Sequence, residues 1–185
     1  MLFRSEDSGT NTVTLSGISA GPADESGQTV TITATSSDPS VVPNPTVNYT
    51  SGSTGTLTYA PATNANGFAI ITVVVTDNGG TDNGGVDSVT RTFTVVVRAV
   101  NDVPTLAAIS NVTLNEESPT QTVNLTGISV GGGTDELVQV LTISASSSDP
   151  SVVPNPTVNY TSGSTGTLQF KPLTDRKSTR LNSSH

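Results

Sequence analysis

The chain has 185 residues, with 15 acidic against 7 basic side chains, a net charge of −8, and no cysteine. The missing cysteines exclude disulfides, thiolate metal sites and cysteine nucleophiles, and the acidity argues against nucleic acid, whose phosphates are held by Lys and Arg. The longest apolar stretch, Phe68 to Val75, falls far short of the roughly 20 residues that cross a bilayer, so no membrane insertion is expected of this segment.

Thr, Val, Ser, Gly, Asn and Pro dominate, a mixture that suits short strands and turns. In chain order, Val13 and Leu15 mark a first short strand. Thr29 to Thr35 alternates strictly, with Val30, Ile32 and Ala34 on one face and threonines on the other, which predicts a half-buried strand. Pro39, Pro43 and Pro45 break up the next segment, since proline cannot donate to a ladder. Tyr49 and Leu57 to Tyr59 mark two brief strands. Phe68 to Val75 is apolar on both faces, which predicts a central strand covered on both sides. Val89 to Val100 supplies a long last strand with Phe93, Val95, Val97 and Ala99 on one face. The intervening loop, Asp77 to Asp87, is built of Asn-Gly turn dipeptides and lacks the spacing and closing Glu of an EF-hand.

The same 22 residues occur twice: Ser36 to Leu57 returns letter for letter as Ser147 to Leu168, 111 positions later. Leu15 to Ser19 returns as Leu125 to Ser129, and Leu141, Ile143 and Ala145 repeat the alternation of Val30, Ile32 and Ala34, so the half-buried strand is expected there too. Such a period fits one whole small domain rather than a solenoid repeat. Six or seven short strands in about 100 residues is the size and pattern of an immunoglobulin-like sandwich. The expected fold class is all-β, with tandem immunoglobulin-like antiparallel β-sandwiches in residues 1–100 and 101–174. Ser5 to Leu15 aligns with Asn115 to Leu125, so the first repeat is expected to lack its opening strand. The second has no counterpart of Asn64 to Val100 and is expected to be truncated and unstable alone. The last segment, 175–185 (DRKSTRLNSSH), reads as a translated sequencing adapter and carries the sole histidine, His185.

From Phe68 to Thr105, an aromatic-led strand closes on Asp77-x-x-Gly80, a last strand comes next, and Val100-Asn101-Asp102-Val103-Pro104 opens the second repeat. This resembles the end of a cadherin repeat, and the chain is most similar to the cadherin-like, Ig-like tandem repeats of large bacterial secreted or surface proteins. The resemblance implies calcium at the junction, held by carboxylate and carbonyl oxygens. It implies Asn101 and Asp102 in the linker, Asp77 after the penultimate strand, Asp38 and Asp149 after the second strand, and Glu6 or Asp7 (Glu116 or Glu117 in the second repeat) early in the domain. The family's Leu-Asp-Arg-Glu segment is absent, with Pro61 to Gly67 in its place, so fewer or weaker ions are expected.

With the tail set aside there is no histidine or cysteine from which to assemble a triad, an imidazole base or a zinc site, and no enzyme activity is expected. Adjacent acids such as Glu116-Glu117 and Asp135-Glu136 are expected to stay solvated. Two readings are open. One is a secreted or cell-surface spacer and adhesion module whose partners are other repeats of the same chain and a surface protein or glycan. The other is a carbohydrate-binding accessory module of a larger exported enzyme, whose aromatic candidates are Tyr49, Tyr59 and Tyr160.

Overall fold

Alternating β-branched and hydroxyl side chains produce strands and almost no helix. The computed structural model describes residues 1–174, and the adapter-like segment 175–185 lies outside them. The described residues divide into two units. Unit 1 takes Met1–Asn101 with Gly132–Asp135, and unit 2 takes Asp102–Gly131 and the chain from Glu136 onward.

Unit 1 holds seven strands: β1 (Leu2–Ser5), β2 (Asn11–Ser16), β3 (Val30–Ser36), β4 (Thr46–Asn48), β5 (Thr54–Tyr59), β6 (Gly67–Asp77) and β7 (Ser88–Arg98). They form a four-stranded sheet in the order β1-β7-β6-β3 and a three-stranded sheet in the order β2-β5-β4. The pairings are antiparallel except for β1, which runs parallel to β7 with Leu2 opposite Val95 and Ser5 opposite Arg98. The first sheet is therefore mixed rather than wholly antiparallel, and Leu2–Ser5, to which the sequence pattern assigns no strand, supplies its edge.

The two sheets share one apolar core. Leu57 and Tyr59 of β5 meet Ala69, Ile71 and Val73 of β6 and Val95 and Val97 of β7, with Val41 and Val42 closing the side. Fully burying one aliphatic side chain of this size contributes about 1.5–3 kcal/mol, and with no disulfide available this burial is the main cement between the layers.

The expectation that β6 is covered on both faces is wrong. Ala69, Ile71 and Val73 are buried, whereas Phe68 is 62 % and Ile70 41 % exposed. A unit of two sheets has a single interior, so the outward residues of even a central strand face water. Phe3 and Phe68 both lie opposite Val96 on that outer face, and the Arg98 guanidinium sits 4.7 Å from the Phe3 ring centre, within cation–π range.

Unit 2 contains β8 (Gln121–Leu125), β9 (Thr157–Asn159) and β10 (Gly166–Phe170), ordered β8-β10-β9. This repeats the β2-β5-β4 sheet of unit 1. Ahead of it, Thr105 bridges Ser129, and the Ala107 N–H donates to the Thr126 carbonyl at 2.8 Å. The strand expected at Leu141 to Ala145 is absent. Residues 141–147 keep the alternating half-buried and exposed pattern of β3 but enter no ladder. In unit 1 the ladder of β3 is made with β6, and the described part of unit 2 has no counterpart of β6. Side-chain period alone does not make a strand without a ladder partner.

Candidate functional site

The sequence places its candidate ligands around the repeat junction, and unit 1 carries several of them where β1 ends. After Ser5 the Glu6 N–H extends the β1–β7 ladder by donating to the Arg98 carbonyl at 2.9 Å. Asp7 then turns the chain with φ 57°, a left-handed value that Asp tolerates better than most residues. This turn folds the Glu6 side chain inward, leaving it 3 % exposed. Its Oε1 accepts the Val100 N–H, and its Oε2 is buried with no hydrogen-bond partner. Asp7 Oδ1 accepts the Asn64 N–H at 3.0 Å, and Asp135 Oδ1 accepts the Asn66 amide at 2.8 Å.

Unit 2 contains a similar device. Glu136, in the single-turn 3-10 segment Asp135–Val138, is 1 % exposed. Its Oε1 accepts the Asp102 N–H at 3.2 Å, and the Gln139 side-chain amide donates to Oε2. The backbone N–H groups of Val100 and Asp102, on either side of Asn101, are thus each held by a buried glutamate of their own unit. Hydrogen bonds to charged acceptors contribute about 1.5–3 kcal/mol apiece. The expectation that Asp135-Glu136 stays solvated fails for Glu136. Its repeat counterpart Glu25, 111 positions earlier, is only half-buried, so the repeat gave no signal, and burial came from the linker backbone it caps.

The other predicted ligands are dispersed. Asp77 ends the 11-residue strand β6, whose first residue Gly67 lies opposite Val97. At about 3.3 Å per residue the two ends are on the order of 30 Å apart, so Asp77 does not share a site with Glu6. Its Oδ1 instead accepts the Gly79 N–H at 2.8 Å and starts the β6–β7 turn. Asp38 Oδ1 accepts both the hydroxyl and the N–H of Ser40, and Asp149 does the same with Ser151. The Ser40 hydroxyl, then its N–H, holds the Asp38 carboxyl below its ordinary value, and Ser151 does so for Asp149. Asn101 is exposed and Asp102 half-buried, while Glu116 and Glu117 are exposed.

Calcium takes six to eight oxygens. Among the described residues no three acidic or imidazole side chains group closely enough to hold a metal, and Glu6 Oε2 is the single buried carboxylate oxygen without a partner. The side chains as placed do not fit a calcium cage.

The aromatic candidates for sugar binding are also spent internally. Tyr49 and Tyr160 are half-buried, and their hydroxyls donate to the Gly52 and Gly163 carbonyls at 2.9 and 3.0 Å. Tyr49 does line an open depression of about 380 Å³ with Ser19, Gln28 and Thr29. Tyr59 is 4 % exposed, and burial pushes its hydroxyl up from the ordinary value, with nearby Arg4 acting in the opposite direction. Neither Tyr59 Oη nor Arg4 Nε, both buried, finds a hydrogen-bond partner. Compared with family models, curated proteins and solved structures, the chain matches none.

Proposed function

We propose that this chain is a non-catalytic, load-bearing repeat segment, a spacer and adhesion module of a secreted or surface protein built from tandem immunoglobulin-like, cadherin-like units. The observation that carries this reading is the parallel pairing of β1 with β7. The chain enters unit 1 through β1 and leaves it through β7. Pulling on both ends drives two parallel neighbours in opposite directions along their shared axis. Their hydrogen bonds are then loaded together in shear, whereas antiparallel neighbours pulled from one end open a bond at a time. The buried Glu6 carboxylate supports the same arrangement by fixing the Val100 N–H where the chain leaves β7. No step of this reading passes through calcium.

Single-molecule stretching tests it. Unit 1 is expected to give way in one event, releasing roughly 300 Å at about 3.3–3.6 Å per residue. Because the Glu6 N–H donates to β7, strand alternation directs the Arg4 N–H to β7 and turns the Phe3 N–H away. Arg4→Pro is therefore expected to lower the unfolding force markedly, and Phe3→Pro far less, since proline is tolerated on the outward side of an edge strand. Gradual yielding at low force, or equal effects of the two prolines, would count against a load-bearing role.

A further inference from the structure

The β6–β7 connection repeats one pentapeptide back to back: Thr76 to Gly80 and Thr81 to Gly85 both read TDNGG. Each copy holds an Asn-Gly dipeptide, and Asn66-Gly67 is a third in unit 1. Glycine has no β-carbon, so its backbone nitrogen can approach the side-chain carbonyl carbon of the asparagine before it and close a five-membered ring. Whether it does so depends on what else holds the two groups.

At two of the three dipeptides both groups are held. The Asn66 amide donates to Asp135 Oδ1 at 2.8 Å, and Gly67 starts β6 in register with Val97. Asn78 Oδ1 accepts the Thr29 N–H at 2.8 Å, which draws that side chain toward the start of β3. The Gly79 N–H donates to Asp77 Oδ1 at 2.8 Å, and the Gln28 side chain lies over Gly79 so closely that an added β-carbon would collide with it.

Asn83 is in the opposite situation. Its side chain has no hydrogen-bond partner among the described residues, and Asp82, Asn83 and Gly84 are all exposed. Asn83 is left-handed at φ 56°, Gly84 has φ 84°, and a β-carbon at Gly84 would meet nothing within 4 Å. The segment is a single 3-10 turn without a buried residue, closed by the Gly85 N–H on the Asp82 carbonyl at 3.0 Å. A loop with so few contacts opens at low free-energy cost, so the geometry of ring closure is within its reach.

We propose that Asn83 is a self-modifying site, at which the chain converts its own side-chain amide to a carboxylate through a succinimide. The Gly84 nitrogen gives its proton to solvent and bonds to Asn83 Cγ. The Cγ–Nδ2 bond breaks, and the nitrogen leaves as ammonia after taking a proton from solvent in return. Water then opens the ring, its hydroxyl going to a ring carbonyl carbon and its hydrogen to the ring nitrogen. Opening at the side-chain carbonyl leaves aspartate, whereas opening at the backbone carbonyl leaves isoaspartate, whose main chain is longer by a methylene. Either product places a new negative charge between Asp82 and Asp87. The β6–β7 ladder ends at Thr76 opposite Ser88, so the extra methylene falls in the loop and leaves both strands in register.

The test holds the full chain in mildly alkaline buffer and maps its peptides by mass spectrometry, with fragmentation separating aspartate from isoaspartate. Conversion at Asn83 is expected to run at least tenfold faster than at Asn78 or Asn66, with both products present. In strong urea Asn78 and Asn83 are expected to convert at the same rate, because their pentapeptides are identical and only the fold tells them apart. Asn83→Gln, which would need a six-membered ring, is expected to abolish the fast conversion and leave the thermal midpoint unchanged. Three results would overturn the proposal: Asn83 no faster than Asn78 in the folded chain, a difference between the two that survives in urea, or aspartate formed without isoaspartate, which would mean direct hydrolysis with no part for Gly84.

Discussion

Ser36 to Leu57 and Ser147 to Leu168 are one sequence in two settings, which separates what 22 residues dictate locally from what the rest of a fold imposes. The local structure is the same in both. Asp38 and Asp149 each hold the serine two residues on, Asn44 and Asn155 each accept the N–H of the serine eight residues back, and Tyr49 and Tyr160 each close the turn that comes next. Both blocks form a short strand, β4 or β9, paired with the next, β5 or β10. Burial is what differs. Leu57 is sealed and Leu168 is not, because among the described residues only the first has a second sheet above it. Glu6 and Glu116 show the same contrast outside the block: one is folded under the end of β7, and the other stays in solvent. Turn chemistry thus tracks the sequence closely, whereas core membership depends on elements far away in the chain.

The largest expected effect that sharpens this contrast comes from the paired leucines. Leu57→Ala is expected to cost about 2–5 kcal/mol, the range for a sealed core position. Leu168→Ala, at a half-open one, should cost less than about 1 kcal/mol. Urea unfolding monitored by circular dichroism measures both, and equal losses would erase the distinction between the two settings.

Next in size is Glu6→Ala, which leaves the Val100 N–H without its acceptor and is expected to cost about 1–3 kcal/mol. Glu116→Ala, at an exposed position, should fall within about 0.5 kcal/mol of zero. In a thermal melt the unaltered chain should keep one midpoint in calcium and in chelator. A midpoint raised by calcium would mean that an ion binds the folded state, and that Glu6 is a ligand as well as a backbone cap.

The smallest effect concerns pH. Asp38 and Asp149 both have folded carboxyls held below the ordinary value. The stability they contribute is present above the ordinary carboxylate value of about 4 and is lost as pH falls through the depressed one. Asp38→Asn and Asp149→Asn should each flatten the acid limb of stability, measured by hydrogen exchange of the adjoining turn between about pH 5 and pH 2. The two are expected to match, because the causes are local and the same. A clear inequality would show that the missing cover reaches even the turns.

Much of the strand layout was legible because period two survives in β2 and β3, where half-buried and exposed residues alternate, and in β5, where buried Leu57 and Tyr59 alternate with half-buried threonines. Three things were not. The outer face of β6 carries Phe68 and Ile70, so its composition mimics a strand covered on both sides. Leu2–Ser5 is only 4 residues long and takes its structure from β7, far away in the chain. At the candidate site, the resemblance to a cadherin repeat pointed to Glu6 and Asp7, but the partner of Glu6 is a backbone N–H, which no side-chain motif records. Glu136 was hidden for the same reason.

The core of unit 1 joins its two layers through apolar contact alone, in a chain without a single cysteine. Nothing covalent therefore stops extension part-way once that core has opened, and the released length is the whole unit. The return trip carries no risk of mispaired thiols, and it proceeds identically in oxidising and reducing surroundings. On the load-bearing reading proposed above, stretching and recoiling of such a unit would be governed by hydration and geometry rather than by redox state.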